Sequence, residues 1–312
     1  MSRKLLALIC VILLAASFGI YIYVHKAKES KKVFAISNGE VAFCFSAENY
    51  SLLEIVDEEK GRKIEFPGSP LWKIVLLDTE KAMKDGEKLG KDVFLELSSD
   101  GAFWTRSYRI ISANGGEVLQ LTWEKAGYGK IVVNIELPVN SSLSTWNITV
   151  ENKSEKYAIW YVDFPYLRVK PLGGAKDSNL LVLPVHGGAL IKDPFDNIDW
   201  SVQPWEEIFT GYRQTARIDI RGSYPGNYNA QFAALYDTSG EGLYIASYDG
   251  NMYAKRFLFR GDGETLYISI RNYPEKMLTP GVSYAVPYEF KVGIFHGDWM
   301  NAADIYKEWA KK

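Results

Sequence analysis

The chain has 312 residues, 47% hydrophobic and 24% charged, with a formal net charge of −2. That balance describes a globular protein and excludes a disordered one. It carries no basic excess of the kind nucleic acid requires, so no nucleic-acid partner is expected.

The N-terminus is a different material from the rest. Leu5 to Val24 runs without a charged residue, long enough for a helix to cross a bilayer. A cleavable signal has a shorter apolar core, about 7–15 residues, followed by a small-x-small site. Here the run passes Ala15, Ala16 and Ser17 and continues to Val24. The reading is an uncleaved anchor, with residues 1–32 forming the span and its linker; cleavage would instead release a secreted body. Cys10 lies inside the span, which leaves Cys44 alone and excludes an intradomain disulfide. Asn49, Asn140, Asn147 and Asn152 stand in glycosylation triplets, which suit an exported surface.

From Val33 onward the pattern is β. Ile131, Val133, Ile135 and Leu137 alternate with polar positions, as do Leu266, Ile268 and Ile270 with Tyr267, Ser269 and Arg271. Period two marks strands with one buried face. Turn clusters separate the runs: SSDG at 98–101, SANGG at 112–116, TSGEG at 238–242 and GDG at 261–263. About eighteen strands are counted this way, with no convincing helix before residue 298. Strands following strands imply antiparallel pairing, and so many must divide into two packed layers. The expected fold is all-β, a large antiparallel sandwich over residues 33–295, with a connector helix over 296–312.

The segment from His186 to Gly211, HGGALIKDPFDNIDWSVQPWEEIFTG, breaks the rhythm. Long irregular connections are uncommon in compact domains and often functional. This one brings His186, Asp199, Trp200, Trp205 and Glu206 close in sequence. An indole face can stack on a sugar ring while carboxylates accept from its hydroxyls. Those five, with Tyr224 further on, are the candidate carbohydrate-binding residues; the alternative is a surface loop pinned by its Trp residues. Asp193, Asp196 and Asp199 could hold calcium, although a solvated loop is the simpler reading. The three histidines show no metal-ligand spacing, and no nucleophile elbow or phosphate-binding loop is present. No cofactor, metal or catalytic residue is expected.

At the C-terminus Asp298 stands at an N-cap position before Trp299, Ala302, Ala303, Tyr306 and Trp309, which share one helical face.

Several stretches in order carry a resemblance: NGEVAFCFSAENYSLLEIVDEEKGRKI, SPLWKIVL, WNITVENKSEKYAIWYVDFPYL, LVLPVHGGALIKDP, SYPGNYNAQFAALYD, GEGLYIASYD and VGIFHGDWMNAADIYKEWAKK. Residues 33–312 resemble the N-terminal β-supersandwich, related to the galactose-mutarotase fold, of glycoside-hydrolase-like proteins with the endo-α-N-acetylgalactosaminidase architecture. The resemblance implies a carbohydrate partner and a body on the outer side of a membrane. It also implies a catalytic (β/α)₈ barrel downstream, joined through the final helix. No catalytic residue can be carried over. The expected function is a non-catalytic carbohydrate-binding domain; the alternative is an aldose-1-epimerase with His186 as acid and Glu206 or Glu289 as base. A missing barrel further implies that Trp299 is buried against the sandwich while Trp309 is left exposed for a separate barrel chain.

Overall fold

The computed structural model describes residues 33–84, 91–113, 116–200 and 222–312. The apolar run 5–24 lies outside them, as do Trp205 and Glu206. Among the described residues no helix is long and apolar enough to cross a membrane.

Most of the described chain is antiparallel sheet, in three pieces. A ten-stranded sheet contains β7 (Thr105–Ala113), β8 (Gly116–Lys125), β9 (Gly129–Pro138), β10 (Leu143–Asn152), β12 (Asn179–Leu183), β13 (Ala189–Lys192), β16 (Phe232–Asp237), β17 (Glu241–Tyr248) and β21 (Glu289–His296). Its order is β13-β12-β16-β17-β21-β10-β9-β8-β7, with the short β20 (Tyr284–Ala285) beside β10. A seven-stranded sheet runs β14-β18-β19-β11-β5-β6, with β15 also on β18. Its members are β5 (Lys73–Asp78), β6 (Phe94–Ser98), β11 (Tyr157–Val169), β14 (Asp199–Trp200), β15 (Ser223–Tyr224), β18 (Lys255–Gly261) and β19 (Leu266–Asn272). The third sheet, β1 (Val33–Ser37), β2 (Val41–Ser46), β3 (Leu52–Asp57) and β4 (Arg62–Glu65), was not anticipated as a separate layer.

One apolar cluster joins all three sheets. Ile131, Val133, Ile135 and Leu137 of β9 face Phe257, Phe259, Ile268 and Ile270 of the seven-stranded sheet, and Ile36, Phe43, Phe45 and Ile55 extend the cluster into the small sheet. The alternation in sequence is therefore the inward face of each strand. The turn clusters fall where expected, between β6 and β7, β7 and β8, β16 and β17, and β18 and β19.

Alternation fails in β16 and β17, where nearly every residue is buried. The cause is the C-terminal helix. Among the described residues two short α-helices precede it, α1 (Thr79–Lys84) and α2 (Pro194–Asn197), both overlooked by periodicity because each is little more than one turn long. The third, α3 (Trp299–Ala310), folds back on the outer face of the ten-stranded sheet. Ala302, Ile305 and Tyr306 pack on Phe232, Tyr244 and Phe295, so these strands are covered on both sides. The start of α3 is tightly specified. Asp298 Oδ1 accepts from the Met300 amide at 2.8 Å and Asn301 Oδ1 from the Asp298 amide at 3.0 Å, a capping box. A Cβ on Gly297, which sits at φ +108°, would lie 2.0 Å from Asn301 Oδ1.

The expected burial of the two Trp residues is reversed. Trp299 is 47% exposed, whereas Trp309 is half-buried and stacks on Tyr248 with ring centroids 4.6 Å apart and planes at 11°. The sheet's own aromatic outer face supplies the surface that was expected from elsewhere. A second correction concerns Asn152. It is buried, its amide donates to Tyr157 O at 2.8 Å, and its side-chain oxygen accepts from Ser154 N at 3.0 Å. A glycan cannot be attached there in the folded chain.

Candidate functional site

The outward face of the seven-stranded sheet forms a trough of about 420 Å³. Alternation dictates its lining. In β19, Leu266, Ile268 and Ile270 enter the core, so Tyr267, Ser269 and Arg271 face out. In β18, Phe257 and Phe259 point inward and Leu258 and Arg260 outward; in β5, Ile74 and Leu76 point inward and Lys73 and Val75 outward. Strand β11 breaks register twice, between Ile159 and Tyr161 and between Asp163 and Tyr166. The second break coincides with a cis Phe164–Pro165 bond. Bulges of this kind re-aim side chains, and here they put Tyr161, Asp163 and Tyr166 together on the trough side.

The floor is built of charges closed on one another. Arg271 donates Nε to Asp163 Oδ1 at 2.7 Å and a terminal nitrogen to Asp163 Oδ2 at 2.9 Å. This bidentate pair is buried, and the guanidinium lies 3.5 Å over the Tyr161 ring. Lys73 Nζ donates to Glu96 at 3.0 Å and sits 5.0 Å from the Tyr166 ring centroid. Burial works to lower the Lys73 pKa, but the neighbouring Tyr166, Glu96 and Asp163 outweigh it and raise it. Burial also pushes the Tyr166 hydroxyl up, so it stays protonated. At the rim Arg168 reaches Asp262 at 3.1 Å and covers the Tyr267 ring at 5.1 Å. Burial alone would raise the Asp262 pKa; hydrogen bonds from Thr265 and Glu264, with Arg168, hold it low. One polar atom on the floor is left over: the enclosed Ser269 Oγ has no hydrogen-bond partner.

Flat aromatic faces beside fixed donors and acceptors suit a saturated ring that has an apolar C–H face and hydroxyl groups around its edge. The carboxylates Asp163, Glu96 and Asp262 are each engaged by a cation, while Asp100 accepts from the Ser98 hydroxyl.

The candidates read from sequence are distributed around the sandwich. His186 is exposed in the turn between β12 and β13, at the edge of the ten-stranded sheet, with φ +52°. Asp199, on β14, stands directly opposite Arg260 and so on the trough's face of the sheet. Trp200 pairs through its backbone with Phe259. Tyr224, on β15, pairs with Lys255, whose ammonium lies 5.1 Å from its ring. Glu289 is exposed at the start of β21, 3.6 Å from Lys291. Four interstrand steps separate β13 from β21, about 19 Å at the usual spacing. The sheet therefore does not bring His186 and Glu289 together as an acid–base pair. Asp196 is held by Lys176 at 2.6 Å, and among the described residues no group of three ligating side chains is arranged for a metal.

Sequence reasoning passed over Tyr161, Asp163, Tyr166, Tyr267 and Arg271. The available signal was that both polar and aromatic residues occupy the outward positions of otherwise regular strands.

The described chain thus belongs to the class of large antiparallel β-sandwiches with a polar, aromatic trough on one outer face. No protein-family model and no curated protein matches it. Solved structures do share its fold. An alpha-N-acetylgalactosaminidase from Bifidobacterium bifidum, in complex with GalNAc, superposes with a TM-score of 0.61 at 11% identity, over 89% of this chain and 39% of that one. A GH36 alpha-galactosidase from Geobacillus stearothermophilus gives 0.52 at 12% identity, over 90% and 42%. An alpha-mannosidase from Enterococcus faecalis gives 0.50 at 10% identity, over 88% and 30%. The chain therefore spans well under half of the length of each, and at such identities the likeness is one of fold.

Proposed function

We propose that this chain is a carbohydrate-binding module of a glycoside-hydrolase-like system, and that the trough on the seven-stranded sheet is its glycan site. The observation that carries this reading is the grouping of Tyr161, Tyr166 and Tyr267 with the Asp163–Arg271 and Lys73–Glu96 pairs in one cavity. Support also comes from the fold, which is shared with three kinds of glycosidase structure. Asp199 joins the site through its place opposite Arg260. The module binds and does not itself cleave, since Asp163, Glu96 and Asp262 are held in ion pairs and Asp100 alone supplies no acid–base pair. The uncharged run 5–24 supports a membrane anchor that holds the module on the outer side. The exposed Trp299 and Met300 on the first turn of α3 fit contact with a barrel-like catalytic partner.

The test is a glycan array probed with the full-length chain. Retention on at least one glycan class is expected, with Tyr267→Ala and Tyr166→Ala each weakening it about two- to tenfold, the range of one aromatic contact. Retention untouched by both substitutions would refute the trough as the site.

A further inference from the structure

Most of the trough's charges are spent on each other; the exception is Asp100, an exposed carboxylate of the lining that accepts from the Ser98 hydroxyl and adds a negative charge. Lys73 is matched by Glu96, Arg271 by Asp163, and Asp262 by Arg168 outside the lining. Arg260, the remaining cation of the lining, has Asp199 directly across the strand pair. An anionic ligand would have to break one of these pairs or sit beside its carboxylate. An uncharged ligand meets no such cost, because fixed ion pairs present oriented donors and acceptors without net charge.

Ser269 is a second exception to this closure. Its residue is 2% exposed, and its hydroxyl is enclosed without a hydrogen-bond partner. Register places it opposite Tyr166 on one side and Leu258 on the other. Tyr267 and Arg271 lie two residues away on the same face. A buried hydroxyl left unpaired is a cost to the folded chain, about 1–3 kcal/mol in general. Such a group in a cavity lining points to a partner that arrives with a ligand.

We propose that the trough selects an uncharged glycan, and that Ser269 is a specificity-determining residue whose hydroxyl pairs with a sugar hydroxyl at the floor. This rests on the reading of the trough as a glycan site. A sugar hydroxyl both donates and accepts, so it can complete Ser269 in either sense. Access to Oγ needs a small displacement of a neighbouring side chain, for which half-buried Tyr166 is placed.

The test uses isothermal titration of the full-length chain. Neutral trisaccharides (raffinose, mannotriose and chitotriose) are compared with trigalacturonate and a sulfated trisaccharide. At least one neutral probe is expected to bind, with affinity constant within about twofold from about 0.05 to about 0.5 M salt. The carboxylated and sulfated probes are expected to bind at least about tenfold more weakly. Ser269→Ala and the near-isosteric Ser269→Cys should each weaken the neutral probe about two- to tenfold, the range of one hydrogen bond. Their melting temperatures should be equal to the parent's or higher, because an unpaired buried group has been removed. A structural serine would behave oppositely, losing stability and keeping affinity. That result, or tighter and salt-sensitive binding of either acidic probe, would overturn the inference while leaving the trough as a glycan site. If no probe binds, or if affinity is untouched by both Tyr267→Ala and Tyr166→Ala, the glycan reading itself fails and the inference with it.

Discussion

Lys255 shows what a single buried charge demands. Its side chain is fully enclosed, donates to Asp249 Oδ2 at 2.5 Å and to Gln231 Oε1 at 2.7 Å, and lies 3.9 Å from the Tyr288 ring. Burial lowers its pKa to about 8 against the pull of Asp249. Removing one member of such a pair strands the other, which costs about 3–5 kcal/mol. Lys255→Met and Asp249→Asn are each expected to destabilise by about 3 kcal/mol, and the double variant by less than the sum, in denaturant unfolding. Simple additivity would mean that the two do not depend on each other. Nothing in the sequence announces this pair, because Asp249 and Lys255 read as ordinary turn and strand-end charges. Cys44 is a second residue-scale case. Burial pushes its thiol up to about 12, with Glu54 and Glu58 adding to the effect. Alkylation of the Cys44 peptide, followed by mass spectrometry at neutral pH, should be negligible in the native chain and complete in denaturant. Equal labelling in both would contradict its burial.

Among the elements, α3 was the most legible and its destination the least. Asp298 and the spacing of Ala302, Tyr306 and Trp309 defined the helix and its apolar face in sequence alone. What that face meets depends on the outer side of β16, β17 and β21, which are distant in sequence. FAALYD and GLYIASY read as nearly continuous apolar runs, and such runs signal strands covered on both faces. That clue was available; a strict period-two reading hides it. His296 fixes the approach to the helix by bonding Asp57 of the small sheet at 3.2 Å. Ala302, on the inner face of α3, is fully buried against the sheet. Ala302→Glu should therefore detach the helix from the sheet and expose Trp309, at a cost of several kcal/mol for a buried unpaired charge. Acrylamide quenching of tryptophan fluorescence would report it. Unchanged quenching would mean that the helix does not rest there.

For the whole molecule, two packed antiparallel layers follow from period two and from turn chemistry, and the hairpins at 112–116, 238–242 and 261–263 were readable from Gly-containing clusters. The trough was not, because it arises where five strands and two register breaks meet, and no local pattern encodes that meeting. Alkaline stability is also a property of the whole. Burial raises the hydroxyl pKa values of Tyr228, Tyr244 and Tyr288, and Tyr284 is raised as well, chiefly by burial. In the unfolded chain these groups ionise near pH 10, while the folded chain retains their protons. Above about pH 10 the unfolded state binds fewer protons, so stability is full below that value and falls as pH rises through it. Tyrosinate absorbance should appear in two stages, exposed groups first and the buried set only with loss of the circular-dichroism signal; a single smooth titration with the fold intact would disagree. The central claim remains that the outward face of the seven-stranded sheet receives a glycan. Hydrogen–deuterium exchange of the full-length chain, with and without its best-retained neutral glycan, tests it most directly. The account predicts added protection in β11, β18 and β19, centred on Asp163, Arg260 and Ser269. Protection confined to the segment beginning at His186, with β11 and β19 unchanged, would contradict it.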